Sequence, residues 1–167
     1  MSQSTLPETA FAPAERELFD TIESQAAMLE GSEPLRSILS WLPAPVAVVN
    51  GCRQIVFANQ ALLELLAVAD AQPILGLRIG EAFGCPNSTH DLGGCGTTEW
   101  CRGCGVVSAV TEALEKGQAA GRYTINEKID DRRVRFSFEE AAFSFECGGT
   151  RFVLVLLRGV PPGGLRI

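Results

Sequence analysis

A single histidine, His90, is present in the sequence, and this scarcity limits the catalytic chemistry that the chain can support. A serine-type hydrolase needs a histidine that is oriented by a carboxylate from another part of the fold. Here the neighbouring carboxylate, Asp91, is adjacent in sequence and poorly placed to orient the ring. The sequence also lacks a glycine-rich phosphate-binding loop. We therefore expect that the protein is not an enzyme.

Basic residues and long apolar runs are also scarce. The chain has 14 Lys and Arg against 20 Asp and Glu, and a net charge of -6, which disfavours binding to nucleic acid. No apolar run approaches the roughly 18 residues that a membrane span needs. The N-terminus lacks the basic and apolar regions of a signal peptide. We expect a cytoplasmic protein without a membrane segment, whose thiols stay reduced.

The apolar content is sufficient for one domain, since 46% of the 167 residues are hydrophobic. Residues 1–13 are mostly polar or small and are predicted to form a flexible tail. Residues 14–31 carry apolar side chains near helical spacing and predict an amphipathic helix that ends at Gly31. This helix either packs on its own domain or mediates dimerisation, because an apolar stripe does not identify its partner.

Two groups of β-rich segments flank the helical middle of the chain. VAVVN (46–50) and RQIVFAN (53–59) surround Asn50-Gly51, which is a strong hairpin signal, and Asn59 can cap the helix that follows. The clearest helix spans 105–117, and the last third reads as three strands before a C-terminal tail over 160–167. This order predicts an α+β fold, in which helices cover one face of a five-stranded antiparallel sheet.

Four of the six cysteines share one short stretch, with the spacing C-x9-C-x5-C-x2-C. They are Cys85, Cys95, Cys101 and Cys104. Flanking glycines allow backbone N–H groups to turn toward the sulfur atoms, which stabilises thiolates. In a reducing compartment such a group predicts a metal or redox site. Three interpretations fit the spacing: an iron–sulfur cluster, either [2Fe–2S] or [4Fe–4S]; a structural zinc ion; or a redox-switching pair formed by Cys101 and Cys104.

The remaining candidate ligands are weaker. His90 could substitute for one cysteine, but four thiols already complete a tetrahedral shell, so we interpret it as a polar loop residue. Cys52 and Cys147 are remote in sequence and are interpreted as small buried or half-buried residues. Haem bound through a helix histidine is disfavoured, because the only histidine lies in the cysteine stretch.

Several segments resemble the PAS sensor domain over roughly residues 34–159. LRSILSWLPAPVAVVNGCRQIVFANQALLELLAV resembles the PAS opening, in which a lead-in helix and a hairpin precede a strand that ends in asparagine. GLRIGEAFGC resembles the segment before the long PAS helix, and RRVRFSFEEAAFSFECGGTRFVLVLLRGV resembles the closing hairpin. GCPNSTHDLGGCGTTEWCRGCGVVSAVTEAL is similar to a bacterial PAS subtype with a four-cysteine loop, here residues 85–104.

The resemblance implies signal sensing and favours the iron–sulfur cluster, because such clusters respond to oxygen, nitric oxide or redox state. The four cysteines of the loop would then be its ligands. The alternative is an interaction module with a purely structural zinc ion, and a third option is an electron carrier. The residues after Arg158, which include Gly159, Pro161 and Pro162, do not resemble the output helix that the family would place there. The signal is therefore expected to reach a partner, such as a histidine kinase, or to act through a homodimer formed by the N-terminal helix and the sheet. The sequence does not decide whether a small molecule binds in the PAS pocket.

Overall fold

A five-stranded antiparallel sheet forms the centre of the computed structural model, which describes residues 7–129 and 132–159. The strands are β1 (Val46–Val49), β2 (Ile55–Ala58), β3 (Gln118–Ile129), β4 (Arg132–Cys147) and β5 (Thr150–Arg158). Their order in the sheet is β2-β1-β5-β4-β3. The front hairpin therefore joins the C-terminal meander along β1 and β5, where Val46 pairs with Leu156. This confirms the α+β fold predicted from the sequence.

Two asparagines fix the front hairpin. The side chain of Asn50 accepts hydrogen bonds from the backbone N–H groups of Cys52 and Gln54, both at 3.0 Å, which closes the turn. The side chain of Asn59 accepts one from Leu62 at 3.0 Å and so caps the next helix, as predicted. It also accepts one from Val46 at 2.9 Å, which ties the cap to β1.

The helices that follow the hairpin lie on one face of the sheet. They are α3 (Gln60–Leu65), α4 (Ile79–Ala82) and α5 (Gly105–Lys116), with two 3₁₀ turns at Pro86–Ser88 and Glu99–Gly103. The buried side of α5 packs against apolar side chains of β4 and β5. It consists of Val106, Val107, Ala109, Val110 and Ala113. Gly117 ends the helix with φ of +94°, a left-handed conformation that glycine adopts readily.

The first two helices, α1 (Phe19–Gly31) and α2 (Glu33–Trp41), pack on the opposite face. Ile22 and Leu29 of α1 are buried in the same apolar cluster as Phe152 of β5. The apolar stripe of α1 is thus covered by its own domain, which is one of the two interpretations left open by the sequence. The helix begins at Phe19 rather than near residue 14, because the preceding backbone bonds to other parts of the fold, including Glu17 N–H to Gln54 Oε1 at 2.7 Å.

Some predicted segments fall outside the part of the chain that the structure describes. These are residues 1–6 of the predicted tail and the C-terminal tail over 160–167. Within the described ranges, no helix is both long and apolar enough to cross a membrane.

Candidate metal centre

The cysteine loop, residues 85–104, connects α4 to α5. Cys85 follows α4, Cys101 lies in the second 3₁₀ turn, and Cys104 is the residue immediately before α5. Cys95 and Cys101 are buried, whereas Cys85 and Cys104 are half-buried, and all four are free thiols. The fold therefore holds the loop against the helical face of the domain.

The four thiols share one neighbourhood. Cys85 and Cys95 both pack on Gly80 of α4, where an added Cβ would lie 2.6 Å from the Cys95 Sγ and 3.5 Å from the Cys85 Cβ. Cys95 and Cys104 contact the same small apolar cluster. The charge of Cys101 acts on Cys95, and that of Cys85 acts on Cys104. The structure thus places Cys95 near Cys85 and Cys104, while the binding of one metal centre by all four cysteines stays a prediction.

Hydrogen-bond donors face these sulfur atoms. The backbone N–H of Gly80 is directed at Cys95, and the N–H groups of Val106 and Val107 at the start of α5 are directed at Cys104. The Thr98 hydroxyl lies 3.2 Å from the Cys101 Sγ. Such donors stabilise a thiolate, and the first turn of a helix adds its dipole. These backbone donors belong to α4 and α5, and not to the loop glycines from which the sequence predicted them.

Burial nevertheless favours the protonated form of Cys95 and Cys104 in the absence of a cation. Desolvation, together with the charges of Cys104 and Cys101, raises the pKa of Cys95 to about 12. Desolvation likewise raises the pKa of Cys104 to about 11, with added contributions from Glu140 and Cys85. A cation between the sulfur atoms would reverse this repulsion, because a metal ion deprotonates the thiols that coordinate it.

Arg78, which sequence reasoning missed, lies beneath the loop. It is only 1% exposed, and its guanidinium donates to the carbonyl oxygens of Gly93 and Cys95 at 2.9 Å and of Glu15 at 2.8 Å. Burial lowers its pKa to about 10, so it stays charged at neutral pH. The side chain fixes the path of the backbone on which Cys95 is carried.

Arg53 is a second buried cation at the same place. Its Nη2 donates to the Pro13 carbonyl at 2.6 Å, but its buried Nε–H has no acceptor within the described residues. Burial lowers the pKa of Arg53, and the nearby Cys95 thiol acts in the opposite direction. In the described part of the chain neither Arg53 nor Arg78 forms a salt bridge, whereas Arg16 pairs with Glu81.

An N-terminal strap, residues 10–16, crosses the cysteine loop. Ala10 N–H donates to the Thr97 carbonyl at 2.8 Å, and Ala12 N–H donates to the Gly96 carbonyl at 2.9 Å. The guanidinium of Arg102 in the loop donates back to the Ala10 carbonyl at 2.6 Å. Residues 10–13, which the sequence assigned to a flexible tail, are therefore attached to the loop. These hydrogen bonds use backbone groups, which nearly every residue type has, so residue composition could not predict them.

His90 and Trp100 lie at the outer side of the loop. Both are exposed, Trp100 by 58%, and their rings are in tilted contact with centroids 5.0 Å apart. Trp100 therefore lies at the surface of the loop and not in the core. Cys52 lies in the front hairpin turn and Cys147 at the end of β4, where it packs with the α1 side of the sheet.

The donor set fits a thiophilic metal, although the thiols do not converge on one point. In residues 7–129 and 132–159, no group of three or more His, Cys, Asp or Glu side chains is arranged to hold a metal ion. The fit rests instead on the chemistry of the loop. An anionic metal–thiolate group would be ligated by the thiols of the loop. It would accept hydrogen bonds from the N–H donors directed at sulfur and would neutralise the two buried arginines.

Comparisons with known proteins identify the fold. Residues 35–101 match the family model described as PAS domain. The PAS domain of BvgS from Bordetella pertussis superposes with a TM-score of 0.52 at 17% identity, covering 79% of this chain and 88% of that one. The PAS domain of nitrogen regulation protein NR(II) from Vibrio parahaemolyticus gives a TM-score of 0.47 at 15% identity, covering 73% and 94%. A search of curated proteins gave no match.

Proposed function

We propose that this chain, which has the PAS fold and matches the PAS domain model over residues 35–101, is a signal-sensing protein whose signal is received by an iron–sulfur cluster in the cysteine loop. Cys85, Cys95, Cys101 and Cys104 would hold the cluster. The group would supply sensitivity to redox state, oxygen or nitric oxide. The observation that supports the proposal is the placement of Cys85 and Cys95 at Gly80 and of Cys104 at the start of α5, with backbone N–H groups directed at the sulfur atoms of Cys95 and Cys104.

The buried charges support the same conclusion. Four thiolates around a divalent metal ion have a net charge of about -2. Arg53 and Arg78 bring two positive charges to this neighbourhood without a carboxylate partner in the described residues. Buried charges are normally paired, because an isolated charge in a low-dielectric interior is strongly unfavourable. An anionic centre would neutralise both arginines.

A structural zinc ion is the second candidate. Cys101 lies in the middle of the 3₁₀ segment Glu99–Gly103 and Cys104 directly follows that segment, with the C-x2-C spacing that closed zinc sites use. In this case the metal would order the loop permanently and the protein would act as an interaction module. A third candidate, an electron carrier, would need reversible one-electron cycling without a change in assembly.

The output would pass through the strap. Residues 10–16 bond to the loop, and α1 begins at Phe19, only a few residues further on. Release of the loop would free the strap and loosen α1. Four large apolar side chains are exposed near or on α1 and α2, with Trp41 the most exposed at 86%. They are Leu18, Phe19, Ile38 and Trp41. We propose that this surface contacts a second copy or a partner such as a histidine kinase.

Metal analysis of anaerobically purified protein tests the proposal. Iron with acid-labile sulfide and a brown colour are expected, whereas zinc without colour would favour the structural alternative. Cys101→Ser should abolish metal uptake, and the matched control Cys147→Ser should retain it, because Cys147 lies on the other face of the sheet. Wild-type protein that binds neither metal contradicts the proposal. Light scattering with and without metal tests whether assembly responds to the centre.

A further inference from the structure

A groove of about 280 Å³ lies between the N-terminal strap, the turn of the front hairpin and α5. Pro13 and Glu15 line it from the strap, Arg53 from the turn, and Leu114 and Glu115 from α5. At about 30 Å³ for each water molecule in the liquid, this space corresponds to roughly nine non-hydrogen atoms. None of the four loop cysteines, all of which the structure describes, lines this groove. The site is therefore separate from the candidate metal centre and goes beyond the proposed function.

Arg53 supplies the positive charge of the groove. Its side chain is buried, and its Nη2 donates at 2.6 Å to the carbonyl oxygen of Pro13, which lines the same groove. The guanidinium therefore lies at the base of the groove. Within the described residues its buried Nε–H has no acceptor, and no salt bridge involves Arg53. Because a buried charge normally has a partner of opposite sign, a carboxylate that entered the groove would supply the missing charge.

The backbone of Arg53 is also unusual, since its φ of +66° lies in the left-handed region. Side chains other than glycine, asparagine and aspartate rarely adopt this conformation, because the Cβ atom then lies too close to the backbone. A glycine at position 53 would remove this strain, but it would also remove the charge from the groove. Strained residues are concentrated at binding sites, and Arg53 combines the strain with a buried, unpaired charge.

The exposed part of the groove has the opposite charge. Glu15 and Glu115 both line the groove and are exposed, and neither forms a salt bridge within the described residues. The groove is therefore positive at its base and negative at its rim, and Pro13 and Leu114 add apolar surface. A simple anion would be repelled by the rim and a simple cation by the base. A small zwitterion with an apolar side chain matches both charges.

We propose that this groove binds a free α-amino acid with an aliphatic side chain. The carboxylate of the amino acid would lie toward Arg53, and its ammonium group toward Glu15 and Glu115. Its side chain would contact Leu114 and Pro13. The volume of the groove admits a single amino acid and excludes a longer peptide. The three segments that contribute these residues are far apart in the chain, so only the folded domain forms the site.

L-leucine is the probe, because its size matches the groove. Its titration into the nitrogen-15-labelled full-length chain should shift the amide signals of residues 51–53 and 111–115 until they saturate, with a dissociation constant of about 1 mM or below. 3-Methylbutylamine lacks the carboxylate and should bind at least about tenfold more weakly, because it leaves Arg53 unpaired. 4-Methylpentanoate lacks the ammonium group and should bind about fivefold more weakly, because the interactions lost are with exposed carboxylates.

Two variants separate the two ends of the ligand. Glu115→Gln should weaken the binding of leucine about threefold without weakening that of 4-methylpentanoate, because only the ammonium group uses this charge. Glu112→Gln, on the same helix but outside the groove, is the matched control and should bind leucine as the wild type does. Arg53→Gln should abolish saturable binding, and the Glu115→Gln comparison decides if that variant does not fold.

Three results would overturn the inference. They are the absence of saturation at about ten times the expected dissociation constant, equal affinities for leucine and 4-methylpentanoate, and shifts confined to residues away from the groove. None of these measurements involves a metal ion. The outcome is therefore independent of whether the cysteine loop holds a metal centre.

Discussion

At the scale of single residues, Arg78 organises the cysteine loop through backbone carbonyl groups. Its planar guanidinium donates in several directions at once, to Gly93 and Cys95 in the loop and to Glu15 in the strap. Lysine has a compact head with three donors and cannot reproduce this fork. The side chain is therefore a structural requirement of the site, even though it would not contact a metal itself.

Arg78→Lys should lower the free energy of unfolding by about 2–3 kcal/mol, because it leaves buried carbonyl oxygens without donors. Urea unfolding of the metal-free protein measures this difference. Arg36→Lys is the control, since Arg36 forms an exposed pair with Glu33 at 2.5 Å and should change stability by less than about 0.5 kcal/mol. Equal effects of the two substitutions would show that the buried hydrogen bonds of Arg78 contribute nothing specific.

Composition does not show which charged residues are buried. The net charge of -6 predicts an acidic surface, but the side chains of Arg53, Arg78 and Glu140 are almost completely buried. The sequence pattern places Arg53 in a turn, Arg78 in a loop and Glu140 in a strand with alternating side chains. Only contacts between distant segments bury them, so no local signal could have identified them.

At the scale of elements, the strap makes the cysteine loop dependent on the N-terminal segment. Two strap amides donate to loop carbonyls, and the Arg16–Glu81 pair attaches the strap to α4. Glu81 also accepts a hydrogen bond from the Cys95 N–H at 3.0 Å. Burial opposes ionisation of Glu81, but its hydrogen bonds with Arg16 and these backbone donors lower its pKa. The strap, α4 and the loop therefore form one connected unit.

Ala12→Pro should weaken that unit, because proline removes the N–H that bonds to the Gly96 carbonyl at 2.9 Å. Loss of one such bond should speed amide hydrogen exchange in residues 93–104 about fivefold. Hydrogen-exchange mass spectrometry on the full chain measures this. Phe11→Pro is the control, because the Phe11 amide forms no hydrogen bond to the loop within the described residues, and it should have a smaller effect in the same peptides. Equal protection in wild type and Ala12→Pro would show that the strap does not order the loop.

At the scale of the whole molecule, the sheet separates two surfaces. The α5 side holds the cysteine loop and Glu140, whereas the other side is covered by α1 and α2, where Trp41 is exposed. The strap connects the two sides through the chain and through hydrogen bonds. Under the proposed function, the signal would be received on the first side and passed on from the second.

The stability of the metal-free protein should depend on pH through Glu140. Burial raises the pKa of Glu140 from 4.5 to about 8, so the folded state favours the protonated form. The contribution of protonated Glu140 to the free energy of unfolding is fully present below pH 4.5 and is lost as the pH rises through 8. Glu81 has the opposite effect on stability. Because its pKa is lowered in the folded state, its stabilising contribution is lost only when the pH falls.

Urea unfolding between pH 5 and 8 should therefore show wild-type stability falling relative to Glu140→Gln, with Glu139→Gln following the wild type. Parallel curves for wild type and Glu140→Gln would mean that the carboxyl group is not desolvated in solution.

The sequence by itself determined the elements and their class. The Asn50-Gly51 hairpin, the Asn59 cap, the helix before Gly117 and the alternating C-terminal strands are signals carried by neighbouring residues, and they predicted the sheet and its helices. The cysteine spacing likewise predicts one metal site, because the four candidate ligands lie in one loop, and this site stays a prediction. Tertiary structure alone decided which face α1 covers, that the strap crosses the loop, and that Arg53, Arg78 and Glu140 are buried beside the thiols. These features depend on contacts between segments far apart in the chain. Local sequence patterns do not predict the packing energy that favours those contacts.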